Sequence, residues 1–230
     1  MKILAIGAHP DDLEILMGGT IAAFQAQGDQ VVMATATDGA KGGTLAPDEL
    51  VRIREEEAAT AASLFGLAPV MLGFPDGSLR ADPPVIDRLA ALIRDERPAL
   101  VITHAPNDYH GDHRALSDAV RIAANFVAPV LWMETIMGVG FTPTHYIDIT
   151  AHMDLKRQAI RCHKSQDPER FVEMAELSGR YRAAQCNADK GYAEVFRFEP
   201  VFPFGDIRNL LPPAPGLSRV RDRQVAPGHD

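Results

Sequence analysis

The chain has 230 residues, of which 46% are apolar, enough for one α/β domain with a sizeable core. Its formal net charge of −8 excludes a general nucleic-acid binder, which would show a basic face. Only two cysteines, Cys162 and Cys186, occur, and they lie far apart in the chain. They form no metal-binding pair and read as reduced thiols of a cytoplasmic protein.

Residues 2–6 are continuously apolar after Lys2, as in a buried parallel strand. An export signal would need an uninterrupted apolar region, which Gly7, His9 and two aspartates break. No apolar stretch nears the roughly 20 residues that cross a bilayer, so no membrane partner is expected. Residues 18–27 read as a helix stopped by Gly28, and 30–36 as a second strand. A glycine-rich loop at 37–46 precedes a long helix over 47–65, which opens on Pro47 and stops at Gly66. Strand three is expected at 69–74, a helix at 84–96, and a very apolar fourth strand at 99–103. Residues 110–126 begin as a loop and become a helix. Strand five is predicted at 129–135, and a further, antiparallel strand at 145–149. Helices at 151–164 and 169–186 and a last strand at 193–198 complete the pattern.

This alternation predicts an α/β fold: a doubly wound, mostly parallel sheet with helices on both faces. One domain is expected over 1–202. The tail at 203–230 carries Pro212, Pro213, Pro215 and Pro227 and cannot build a core of its own. It is expected to be disordered or to lie on a neighbouring subunit of a homo-oligomer.

Two polar clusters interrupt this pattern, each directly after an apolar strand. The first is Ala8-His9-Pro10-Asp11-Asp12-Leu13-Glu14. Open α/β sheets bind ligands beyond the carboxyl ends of their strands, and this run puts an imidazole and three carboxylates there. His9 and Asp12 fall on one side if the chain turns helically, while Asp11 points elsewhere. Acidic residues at a helix start also suit its dipole, which accounts for Asp11, Asp12 and Glu14 but not for His9. The second cluster runs from His104 to His113 and includes Asp108, His110 and Asp112. Asp112 could serve simply as a helix cap, yet parallel strands bring both clusters to one sheet edge. Counting ligands favours His9, Asp12 and His113, a set suited to zinc that also tolerates iron, cobalt or manganese. Three protein ligands leave a position open for water, as in a catalytic site.

His9-Pro10-Asp11-Asp12 with Glu14, paired with His110-Gly111-Asp112-His113, resembles the PIG-L/LmbE family of metal-dependent N-deacetylases. The similarity runs to about Phe198 and includes Arg54 with Glu57, Leu72–Gly77, and His163-Lys164-Ser165-Gln166. Gly111 stands where the family often has proline. The resemblance implies a Rossmann-like fold and removal of acetyl groups from N-acetylglucosamine-type sugars; related members cleave other amides. It implies His9, Asp12 and His113 as ligands of Zn2+ (or Fe2+, Co2+ or Mn2+), Asp11 as general base, and a protonated His110 on the oxyanion. Asp112 would orient a histidine from behind. Arg54 and Asp76 are the candidate substrate contacts, although Arg54 could equally pair with Glu55 or Glu57 and Asp76 could simply make its turn. His104, His145, His152 and His229 receive no functional role.

Competing readings are weaker. A two-metal phosphoesterase needs more bridging carboxylates. A dinucleotide-binding protein needs Gly-x-Gly-x-x-Gly after the first strand, where this chain has Gly7, His9 and Pro10. A non-catalytic binding protein would lack a ligand or the base, and here every position is filled.

Overall fold

The computed structural model describes residues 1–188 and 190–218. Among them, five parallel strands are β1 (Lys2–Gly7), β2 (Gln30–Thr37), β3 (Val70–Phe74), β4 (Leu100–His104) and β5 (Val130–Met133). Two more, β6 (His145–Asp148) and β7 (Ala193–Phe198), complete one sheet in the order β3-β2-β1-β4-β5-β7-β6. β7 runs against both its neighbours, β5 and β6, so it is the antiparallel strand of the sheet, and β6, expected to be antiparallel, runs in the direction of β5.

The helices are α1 (Asp12–Ala26), α2 (Pro47–Ser63), α3 (Pro83–Glu96), α4 (Gly111–Ala123), α5 (Met153–Arg161) and α6 (Pro168–Gln185). β1 shows why both faces are covered. Ile3 and Ala5 join a core with Met17 and Phe24 of α1 and Ile160 of α5. Leu4 and Ile6 join a second core with Leu89 of α3 and Leu116 of α4. Cys162 and Cys186 are free, and no described helix is long and apolar enough to cross a membrane.

The largest departure from expectation is α1, which starts at Asp12 rather than residue 18. The helix kinks at Met17 (φ −145°, ψ 18°), just before Gly18-Gly19, so its first turn reads poorly as part of one regular helix. The kink releases the amides of Gly19 and Thr20, which donate to the Glu194 carboxylate on β7 at 3.1 and 2.7 Å. Lys156 of α5 neutralises that buried carboxylate at 2.5 Å. The Pro-rich tail also differs in part. Ile207 is buried, Leu210 and Leu211 pack on the first core, and Asp148 N donates to Pro213 O at 2.9 Å. Residues 203–218 therefore lie on this chain's own body, while 219–230 lie outside the described residues.

Candidate active site

β1 and β4 are neighbours, so their carboxyl ends bring the two polar clusters together. Thr37 Oγ1 donates to Ala8 O and Thr103 Oγ1 to Ile6 O, each at 2.8 Å, which ties the strand ends beneath the site. A pocket of about 380 Å³ opens there, lined by His9, Asp11, Asp12, Arg54, His110 and His113, among others.

His9, Asp12 and His113 converge on one point. His9 Nδ1 lies 3.4 Å from Asp12 Oδ2 and 3.3 Å from His113 Nε2, which is 3.4 Å from Asp12 Oδ1. Donors about 2.0–2.1 Å from a tetrahedral ion sit about 3.3 Å apart, which is the spacing of His9 Nδ1 and His113 Nε2, each with a different Asp12 oxygen 3.4 Å away. Side chains close enough together to hold an ion also include the sets His9-His110-His113, Asp12-His104-His113 and His9-Asp76-Asp112. The charges agree with the geometry. Burial opposes protonation of His9 and His113, but facing carboxylates overcome it and push them up to about 12 and about 9. Burial likewise opposes the Asp12 carboxylate, yet His113 and His104 hold it well below the usual range. The cluster demands positive charge at its centre.

His104, the last residue of β4, is a site residue the sequence reading left without a role. Its ring stacks on His113 at 3.7 Å between centroids, and Nε2 lies 3.1 Å from Asp12 Oδ2. That nitrogen also accepts the Ala8 amide at 3.0 Å, so its lone pair is already used. Its place at the end of a buried strand beside β1 was the available signal.

Asp112 stands behind a histidine, as expected, and that histidine is His9. Its Oδ2 is 3.3 Å from His9 Nε2 and accepts the Gly77 amide at 2.7 Å. Asp76 shares this position, with Oδ1 3.2 Å from the same nitrogen and Oδ2 accepting the Lys41 amide at 2.9 Å. Burial works against the Asp76 carboxylate, but His9 and the Lys41 amide bring it down to about 2.

Asp11 points away from the triangle and occupies a strained backbone, φ 144° and ψ −25°. Arg54 is 2% exposed, and its guanidinium reaches Asp11 Oδ2 (3.2 Å), Pro10 O (2.8 Å) and Gly39 O (3.2 Å). Burial raises the Asp11 carboxyl to about 6, with Arg54 offsetting part of the rise. A Cβ on Gly42 would sit 2.2 Å from Arg54 Nη1, so the loop can close over this guanidinium only with glycine there. Arg54 and Asp76 thus border the pocket but spend their polar atoms on Asp11 and His9. Neither helix ion pair considered for Arg54 forms; Glu57 instead accepts Ser165 N and Oγ at 2.8 and 2.7 Å. This docks the His163–Gln166 segment on α2 and places Gln166 in the pocket wall.

His110 caps α4: its Nδ1 accepts the Asp112 amide at 3.2 Å, which leaves the ring proton on Nε2. Burial and the neighbouring His9 and His113 lower its pKa, so the ring is a neutral donor rather than the expected cation. Gly111 is the first residue of α4, where proline is also accommodated.

The chain is similar to diacetylchitobiose deacetylase of Thermococcus kodakarensis, at 35% identity over 90% of this chain and 88% of that protein. The solved N,N'-diacetylchitobiose deacetylase from Pyrococcus horikoshii matches with TM-score 0.77 and 28% identity, covering 90% of this chain and 88% of that one. GalB, the 4-carboxy-2-hydroxymuconate hydratase of Pseudomonas putida, matches with TM-score 0.78 and 25% identity, covering 87% and 97%. The PIG-L family, described as GlcNAc-PI de-N-acetylase, matches residues 4–124, a span that holds both the His9–Asp12 turn and the His110–His113 turn. This chain therefore belongs to the PIG-L family of deacetylases.

Proposed function

We propose that the protein is a metal-dependent hydrolase that removes the acetyl group from an N-acetylglucosamine-type sugar conjugate. The observation that carries this reading is His9 Nδ1 and His113 Nε2 3.3 Å apart, each with one Asp12 oxygen at 3.4 Å, beside the Asp11 carboxylate and the His110 imidazole. His9, Asp12 and His113 would hold the ion; two imidazoles and one carboxylate suit Zn2+, and also Fe2+, Co2+ or Mn2+. Bound there, the ion would polarise the acetyl carbonyl and lower the pKa of a water toward about 7.

Asp11 takes the proton from the attacking water, because Arg54 fixes its carboxylate in the pocket and away from the triangle. His110 donates Nε2–H to the developing oxyanion. Since that proton is engaged there, Asp11 is the group that returns a proton to the leaving amine. Asp112 and Asp76 keep the His9 Nε2 proton directed backwards, which leaves Nδ1 free to ligate.

A fold alone does not decide a chemistry, as the hydratase neighbour illustrates. The relative named as a diacetylchitobiose deacetylase, alike over 90% of this chain, supports amide hydrolysis on an acetylated amino sugar. A two-metal phosphoesterase is disfavoured because Asp76 and Asp112 are both turned onto His9 and Asp108 onto His113, away from a shared bridging position.

The test is metal analysis followed by acetate release from diacetylchitobiose, N-acetylglucosaminyl-inositol, other N-acetylglucosamine conjugates and non-sugar N-acetyl amines. One ion per chain and acetate from the sugars are expected. Asp11→Asn should lower turnover about 10²–10⁴-fold at unchanged metal content. No acetate from any sugar, with the metal present, would refute the substrate class. Loss of metal from Asp11→Asn would make Asp11 a ligand rather than the base.

A further inference from the structure

Asp108 is a buried carboxylate in the β4–α4 loop that the mechanism above does not use. It is 2% exposed and lines no part of the pocket floor that the reaction needs. Its Oδ1 accepts the His110 amide at 2.9 Å and lies 3.2 Å from His113 Nδ1. Its Oδ2 is buried with no hydrogen-bond partner, an expensive arrangement for a carboxylate oxygen. His113 Nδ1 makes no aligned hydrogen bond, so the Asp108 carboxylate faces it as an ion-pair partner at 3.2 Å, and His104 stacks on the ring at 3.7 Å, which restricts its rotation.

We propose that Asp108 is a positioning residue for His113: it holds the Nδ1 proton so that the Nε2 lone pair faces the metal triangle. This rests on the proposed ligand role of His113. A neutral imidazole carries one ring proton, and its two nitrogens are not equivalent. With the proton on Nε2, His113 would present N–H to the triangle, where His9 Nδ1 and Asp12 Oδ1 wait at 3.3 and 3.4 Å. A carboxylate at Nδ1 selects the opposite tautomer and makes Nε2 the more basic donor. His9 is held in the mirror sense, with Asp76 and Asp112 at Nε2 and the ligating lone pair on Nδ1. Each histidine of the triangle thus has a carboxylate at the nitrogen that faces away from it.

The bland role for Asp108 is the turn it makes through the His110 amide. Two variants separate the roles. Asp108→Ala removes both interactions; Asp108→Asn keeps a carbonyl oxygen for the His110 amide and for His113 Nδ1 and removes only the charge. Zinc affinity of the purified apoprotein is measured by competition with a chromogenic chelator, alongside the thermal midpoint of the apo form and the visible spectrum of the Co2+-loaded form. Asp108→Ala should weaken zinc about 10–100-fold. Asp108→Asn should rescue part of that loss, with an apo midpoint equal to wild type. Wild-type zinc affinity in the folded fraction of Asp108→Ala, or a loss in Asp108→Asn as large as in Asp108→Ala, overturns the proposal and leaves Asp108 as a turn residue. A His113→Ala control that still binds zinc like wild type would instead overturn the ligand assignment, and this proposal with it.

Discussion

Asp11 combines three properties that no other residue of the site shares. It is buried, its backbone sits at φ 144°, and its carboxylate is held by a guanidinium rather than by a histidine. A backbone in such a region costs on the order of 1–3 kcal/mol and persists only where surrounding contacts over-determine it. Arg54 supplies those contacts through Asp11 itself and the Pro10 carbonyl. Nearby, His163 is buried with Nε2 3.5 Å from Glu14. Burial lowers its pKa, but Glu14 and Asp11 outweigh that and raise it above 6.5. The folded chain then holds the proton more tightly than the unfolded one, whose histidine titrates near about 6.5. The resulting stability is complete below the unfolded value and lost as pH rises through the higher folded value. The midpoint gap between wild type and His163→Gln should therefore be widest below the unfolded value of about 6.5 and narrow as pH rises above it; a gap independent of pH would show that His163 acts by packing alone. At this scale the sequence disclosed which residue types the site contains, because histidine and aspartate have no reason to collect after a buried strand. It did not disclose their directions. Arg54, read as a substrate contact or a helix ion pair, reaches Asp11, and Asp76, read as a substrate contact or a turn residue, reaches His9.

The element that organises the site is α1, because its first turn carries Asp12 and the residue just before it, at the cap position, is Asp11. Gly18-Gly19 reads from sequence as a helix start, since glycine is a poor interior residue. In the fold the pair marks a kink inside a helix, and its use is close approach. A Cβ on Gly19 would lie 2.6 Å from Ile149 Cβ and 2.8 Å from two further atoms of that side chain. Gly19→Ala gains about 1 kcal/mol in helix propensity, whereas overpacking against a branch point costs about 1–3 kcal/mol. The clash should win, and the variant should unfold at lower denaturant with an unchanged m-value. A stabilised Gly19→Ala protein would show that the Ile149 segment moves aside freely. Strand boundaries were read more accurately than this helix start. The strands are short, continuously apolar runs, whereas the helix begins in a polar cluster whose pattern reflects the site and not the core.

For the whole molecule, the site joins the β1–α1 turn to the β4–α4 turn, so a bound ion cross-links the two halves of the parallel sheet. Apoprotein carries five clustered carboxylates, Asp11, Asp12, Asp76, Asp108 and Asp112, whose repulsion Arg54 and protonated histidines offset. Removing the metal with a chelator should lower the thermal midpoint and returning zinc should restore it. At 100 times Kd the ion contributes about 2.7 kcal/mol, a shift of roughly 5–10 °C for a chain of this size. A midpoint indifferent to chelator and zinc would count against a metal within this cluster.

The succession of strands and helices, the two-faced core and the meeting of both polar clusters were legible from sequence alone, whereas the order of strands across the sheet was not. Apolar period and helix punctuation fix the elements, and parallel crossovers carry successive strand ends to one edge. What only tertiary structure decided was the partner of each polar group: His104 beside Asp12, Asp108 behind His113, Arg54 on Asp11, Glu194 on the α1 kink. Apart from Asp108 and His113, which share the β4–α4 segment, those pairings join residues remote in the chain through directional contacts of about 3 Å. Local sequence carries no record of such a distance, because it is set by how whole elements pack.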